Sequence, residues 1–71
     1  MPEKGEAAKI ERLLNHWMEH NGEHASEFMA WAEKSRKLGR AGVSEGIVRA
    51  AGELEKANEF LRAALKALKE R

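Results

Sequence analysis

All three histidines of the chain fall at four-residue intervals within His16-Trp17-Met18-Glu19-His20-Asn21-Gly22-Glu23-His24. Positions i and i+4 of an α-helix are surface neighbours with Cβ atoms about 5–6 Å apart. Two successive imidazoles can therefore grip one ion, as the His pairs of helical metal sites do. Neutral imidazole is the commonest transition-metal ligand, and nitrogen donors suit nickel, copper and zinc. On a helical wheel His16, His20 and His24 turn progressively from the flank toward the core, so His24 should face inward most and His16 least. The three span about 12 Å of axis, a stretch for one ion held by one helix. Two copies pairing these stripes would supply donors from both sides, four to six nitrogen or oxygen ligands in all. The local field also favours a cation: from Leu13 to Glu33 the charges are Glu19, Glu23, Glu27 and Glu33, with no Lys or Arg.

The elements that must position these rings read as two helices. Pro2 suits the first helical position, and Glu3 and Glu6 oppose the positive end of the helix dipole. Helix 1 then runs to about Leu38, where Lys34, Arg36 and Lys37 complement the negative end and Gly39 fits the left-handed residue that commonly follows. Apolar residues recur along it: the ladder Ile10, Trp17, His24, Trp31 is matched by Leu14, Asn21, Phe28, Ser35, and the core stripe passes through Asn21 and His24. Asn21-Gly22 is a turn dipeptide whose breakage would give three shorter helices. The hydrophobic phase crosses it without a slip, and one Gly within a helix costs only about 1 kcal/mol, so an unbroken helix is expected. Gly39 to Val43 forms the connection, with Ser44 as N-cap and Glu45 as first-turn acid of helix 2. There Ile47, Leu54, Leu61 and Leu68 make one row and Ala50, Ala57 and Ala64 a second, able to accept the bulk of Trp17, Phe28 and Trp31.

The expected fold is thus all-α: an antiparallel, coiled-coil-like two-helix hairpin, about 3–38 and 44–70, forming one domain over 1–71. Folding back at about Ala41 sets His24 level with Asn58 and Trp17 level with Leu65, giving a polar layer of Asn21, His24 and Asn58. Two helices cannot bury rows this wide, and a homodimer completing a four-helix bundle is the natural solution.

Composition narrows the function. A chain of 71 residues is marginal with a single core unless metal, disulfides or self-association supplement it. Cysteine is absent, which removes disulfides, thiolate ligands and thiol nucleophiles together. The net charge of +1 argues against a sequence-independent nucleic-acid binder. No stretch approaches the roughly 20 apolar residues of a bilayer span, and Met1-Pro2-Glu3-Lys4 has no apolar run behind it, so a soluble, cytoplasmic chain is expected. An enzyme is the weakest reading. Tyr is absent, the only serines are Ser26, Ser35 and Ser44, and a hydrolytic metal site would need an open position and a placed base, for which Glu23 is the one candidate.

Each residue also has a plainer role. A histidine on an apolar stripe is commonly a hydrogen-bonded core residue. Asn21 and Asn58 suit a register-fixing polar layer, as buried Asn does in coiled coils. Trp17, Phe28 and Trp31 read as packing, though Trp17 can shield a site from water. Glu19, Glu23 and Glu27 form a solvated face or supporting ligands, and the run Lys34 to Arg40 compensates the dipole. On these readings alone the chain is a structural or interaction coiled coil whose core His and Asn set dimer register.

The string His16-Trp17-x-x-His20-x-x-x-His24 resembles the H-W-x-x-H-x-x-x-H motif of the CooJ-type nickel-binding proteins, accessory factors that handle nickel for maturation of carbon monoxide dehydrogenase. The likeness is concentrated in Leu14 to Trp31. It implies a helical homodimer with a tight Ni(II) site at the subunit interface built from His16, His20 and His24, with Trp17 adjoining. The sequence Ala67-Leu68-Lys69-Glu70-Arg71 offers no imidazole where that family carries a histidine-rich tail, so the interface site is what carries over. The leading expectation is a dimeric nickel metallochaperone or metal-handling module with a nickel-enzyme maturation partner. Cu(II) and Zn(II) are competitors, since the Irving–Williams order places copper at least as tight as nickel.

Overall fold

A repeat of alternating three and four residues runs along both halves of the chain, and in the computed structural model this repeat is the contact seam between two helices. The structure describes the backbone of residues 2–70 and the side chains of 5–70; the dipole role expected of Glu3 lies outside those side chains. Helix α1 spans Pro2–Lys37 and helix α2 spans Ala41–Lys69. They pack antiparallel along the length of α2, with the first turns of the longer α1 extending beyond it, as a rod with extents of 57 × 15 × 11 Å. Its radius of gyration is 16.4 Å, against about 11 Å for a compact chain of this length.

On α1 the seam is residues 7, 11, 14, 18, 21, 25, 28, 32 and 35; on α2 it is 44, 47, 51, 54, 58, 61, 65 and 68. All seventeen are buried or half-buried. The most buried are small: Ala25, Ala32, Ala51 and Ser44, with Leu14 and Asn58 the larger members. Short side chains let the two backbones approach closely, so a thin rod closes around little apolar volume. Helix α1 passes through Asn21-Gly22 unbroken. A Cβ added at Gly22 would meet nothing within 4 Å, so Gly22→Ala should raise stability by about 0.5–1 kcal/mol, measured by urea unfolding.

The reversal is shorter than the sequence suggests. Lys34, Arg36 and Lys37 do occupy the last turn of α1, and Gly39 takes φ +79°. The Gly39 N–H donates to the Arg36 carbonyl at 3.0 Å and the Arg40 N–H to the Ser35 carbonyl at 2.9 Å. That left-handed residue turns the chain at once, and α2 starts at Ala41, not near Ser44. Arg40, without a side-chain cap, precedes it, and no acid lies in its first turn. Ser44 therefore enters the seam, 7 % exposed, where its small size fits a close helix approach. Gly39→Ala should destabilise the hairpin by about 1 kcal/mol, because an L side chain at positive φ is strained.

Starting α2 three residues early shifts the whole register. Asn58 is level with Asn21, not with His24, and Trp17 is level with about Arg62. The Asn21 Nδ2 donates to Asn58 Oδ1 at 3.1 Å, and the Asn58 Nδ2 donates to the Met18 carbonyl at 3.0 Å. The buried amide is thus satisfied on both sides. The polar layer consists of these two residues, and His24 stands outside it. The ladder Ile10, Trp17, His24, Trp31 flanks the seam instead of entering it, as does the row Ala50, Ala57, Ala64. The second row of α2's seam is Ser44, Ala51, Asn58 and Leu65. Trp17 and Trp31 remain 45 % and 56 % exposed, so α2's alanines do not cover them.

Surface charge pairs add little. Arg36 donates to both carboxylate oxygens of Glu33 at 2.8 Å, which holds the Glu33 carboxyl below its ordinary range through that hydrogen bond and the guanidinium charge. Its contribution is present above the usual carboxylate pKa and lost as pH falls through the lowered folded value. Among the described residues no helix is long and apolar enough to cross a membrane.

Candidate metal centre

Helix α1 carries the three imidazoles as a spiral drifting toward the seam. His16 and His20 are exposed, and His24 is half-buried, the order that the helical wheel predicts. The His16 and His20 rings are stacked with centroids 5.9 Å apart; His20 and His24 stand edge to face at 4.4 Å. The second pair is therefore the closer clamp, and His16 is its outlying neighbour. Phe28, half-buried in the seam, lies 6.1 Å from the His24 ring and limits its rotation from one side. Trp17 is seven residues before His24 on the same flank.

Glu27 has a geometric relation to the site that the i, i+3 spacing could have disclosed. Its Oε1 lies 3.6 Å from His24 Nδ1. That distance is longer than a hydrogen bond; closing it would put the carboxylate on Nδ1 and leave Nε2 for an ion, the usual outer arrangement around histidine ligands. Glu19 and Glu23 are exposed on α1. Among the described residues no set of three or more His, Cys, Asp or Glu side chains is placed to hold one ion. One chain thus brings two imidazoles, His20 and His24, close together, and a shell of four protein ligands would need donors from another molecule.

The flank bearing His20 and His24 continues into an open apolar groove of about 550 Å³ near the hairpin tip, lined by Phe28 and Trp31 from α1 and by Val43, Gly46, Ile47 and Ala50 from α2. Lys34 Nζ sits 4.3 Å from the Trp31 ring centre. A smaller groove on the opposite side of the seam is lined by Gly22, Ser26, Met29, Val48 and Gly52, among others, and bears no histidine.

No curated protein and no solved structure matches the chain. The family model described as Domain of unknown function (DUF8180) matches residues 10–68, a span that takes in all three histidines and nearly the whole helical seam, and the chain belongs to that family.

Proposed function

We propose that the protein binds a divalent transition metal, nickel foremost, through His20 and His24 with His16 as an outer donor, and that a homodimer completes the site. The observation that carries this reading is the 4.4 Å approach of the His20 and His24 rings on one helical face, beside an uncovered apolar flank. Two such clamps brought together offer four imidazole nitrogens, a set suited to Ni(II), Cu(II) or Zn(II). The resemblance to the CooJ-type motif ranks nickel first and suggests a metallochaperone or handling role toward a nickel-enzyme maturation partner.

Equilibrium dialysis against Ni(II) tests the reading. The expected result is saturable uptake with one ion per two chains, and a melting temperature that rises with nickel because the ion binds the folded state. Melting and dialysis profiles unaltered by nickel would overturn it. Ligation requires unprotonated imidazole, so affinity should fall as the pH is lowered. Glu27→Gln should weaken nickel binding about tenfold, the lower end of the effect of an outer carboxylate, with the fold unchanged by circular dichroism.

A second reading rests on the satisfied Asn21–Asn58 layer: an interaction coiled coil in which polar residues fix register and the histidines are incidental. It predicts stability indifferent to both chelator and nickel.

A further inference from the structure

We propose that the histidine-bearing face is covered by a second copy of this chain, related by a two-fold axis that crosses the hairpin between His20 and His24 at the height of Ala57. This deepens the metal reading and rests on it for one choice only, that α1 faces its own counterpart so that the two clamps meet.

The charge distribution selects the face. Between residues 10 and 34 of α1 and 43 and 67 of α2, the two outward rows on the histidine side carry charge only at Glu27, Lys34 and Glu53. The corresponding rows on the other side carry charge at Arg12, Glu19, Glu33, Glu45, Glu55, Glu59, Arg62 and Lys66. On the histidine face Ile10, Trp17, Trp31, Val43 and Phe60 are 45–77 % exposed. The area is sufficient. The chain exposes 5820 Å², against about 4,450 Å² for a compact monomer of its 8.0 kDa mass. The part of the face where both helices run side by side, residues 10–37 of α1, is about 40 Å long and 15 Å wide, about 600 Å², the lower end of the 600–1,000 Å² or so that each partner contributes to a standard stable interface.

Register selects the axis. The Asn21–Asn58 hydrogen bond makes residues whose numbers total 79 level across the hairpin, so Ala57 stands level with residue 22, midway between His20 and His24. A two-fold at that height sends level 22 + x to 22 − x. Along α1 the row at levels 10, 17, 24 and 31 then meets its copy at 34, 27, 20 and 13, which interleaves every large side chain with those opposite. Along α2 the alanines at levels 29, 22 and 15 meet their copies at 15, 22 and 29. Ala57 lies against Ala57, Ala50 against Ala64, and the bulky Phe60, at level 19, falls in the gap between two alanines of the second copy. The face is therefore self-complementary about this line: small residues meet where backbones approach, and large ones alternate; lines half a heptad away keep that alternation, but only this one pairs all three alanines.

The chain has no cysteine, which makes single engineered cysteines decisive. In chelator and mild oxidant, Ala57→Cys should convert at least half of the protein to a disulfide-linked dimer, since paired Cα atoms there fall within disulfide reach. Ala50→Cys and Ala64→Cys should each fail to link to themselves, their copies being about 21 Å apart in height, yet link to one another when the two variants are mixed. Ser26→Cys, on the opposite face, should stay unlinked. Phe60→Glu, at a position 77 % exposed in the single hairpin, should weaken dimerisation at least 100-fold by sedimentation while keeping its helix content. A monomeric wild-type chain overturns the proposal. So does a dimer in which Ala57→Cys does not link, or in which Ala50→Cys links to itself. Nickel takes no part in these measurements, so a dimer crosslinked as expected that takes up no nickel in dialysis leaves this arrangement standing and removes the metal reading. A monomer that binds nickel removes this arrangement and, of the metal reading, leaves only ligation by the histidines.

Discussion

Replacing His20 and His24 together by alanine should reduce nickel affinity at least 100-fold, about 2.8 kcal/mol at 1.4 kcal/mol per tenfold, while far-ultraviolet dichroism stays unchanged. The size follows from donor number. The closest imidazole pair in the chain is removed, with ring centres 4.4 Å apart, and a two-fold site would lose all four of its inner nitrogens at once. Both substitutions are structurally mild, because His20 is exposed, His24 is half-buried and neither enters the Asn21–Asn58 layer. Alanine is also the stronger helix former. His16→Ala should cost tenfold or less, since its ring stands 5.9 Å from its neighbour and on the outward side. Calorimetric titration of the three variants separates these effects. Wild-type affinity in the double variant would remove the histidines from the site altogether.

The largest stability effect is expected at Asn58. Changing Asn58→Asp replaces a side chain 6 % exposed, deletes the donor to the Met18 carbonyl and places a carboxylate in the seam. An unpaired buried charge of this kind costs about 3 kcal/mol or more. The whole hairpin should have only about 4–10 kcal/mol at 0.05–0.15 kcal/mol per residue. At neutral pH the melting temperature should fall by about 12 °C or more, taking about 4–8 °C per kcal/mol for a domain of this size. The sign with pH follows from burial. The introduced carboxyl would have a folded pKa raised above its unfolded value of about 3.9, so stability is retained below that value and lost as pH rises through the raised one. The deficit should therefore be much smaller at pH 4 than at pH 7, measured against wild type at each pH. Replacing Asn21 and Asn58 together by leucine should be neutral or stabilising, because it removes the polar requirement on both sides at once.

Much of this was legible from residue types. The unbroken first helix followed from an apolar phase that ignores Gly22, and the basic last turn with Gly39 marked the reversal correctly. What misled was Ser44: a serine followed by an acid is a common helix start, but here its size mattered more than its hydroxyl, and it went into the seam. That three-residue difference moved Asn58 opposite Asn21. It also reassigned the rows. The ladder of Ile10, Trp17, His24 and Trp31 is as apolar as a core row, and one sequence does not distinguish a seam that faces the chain's own second helix from one left for another molecule. The alanine row of α2 is ambiguous in the same way. The inward drift from His16 to His24 was readable because it depends on the helical angle alone. That Glu27 is a neighbour of His24 was readable from the i, i+3 spacing; which of Glu19, Glu23 and Glu27 comes near a ring depends on rotamers and was not.

The three-residue reversal at Leu38 to Arg40 also bears on how the rod forms. Each seam layer lies one step farther from the turn than the last, so pairing can zip outward from Ser35 and Ser44 without closing a large loop at any stage. Folding should be fast, and backbone amide hydrogens should exchange soonest at the open end near Ala7 and Leu68. The asparagine rung at mid-length would act as a latch, beyond which the strands of the zipper breathe more freely than those between it and the turn.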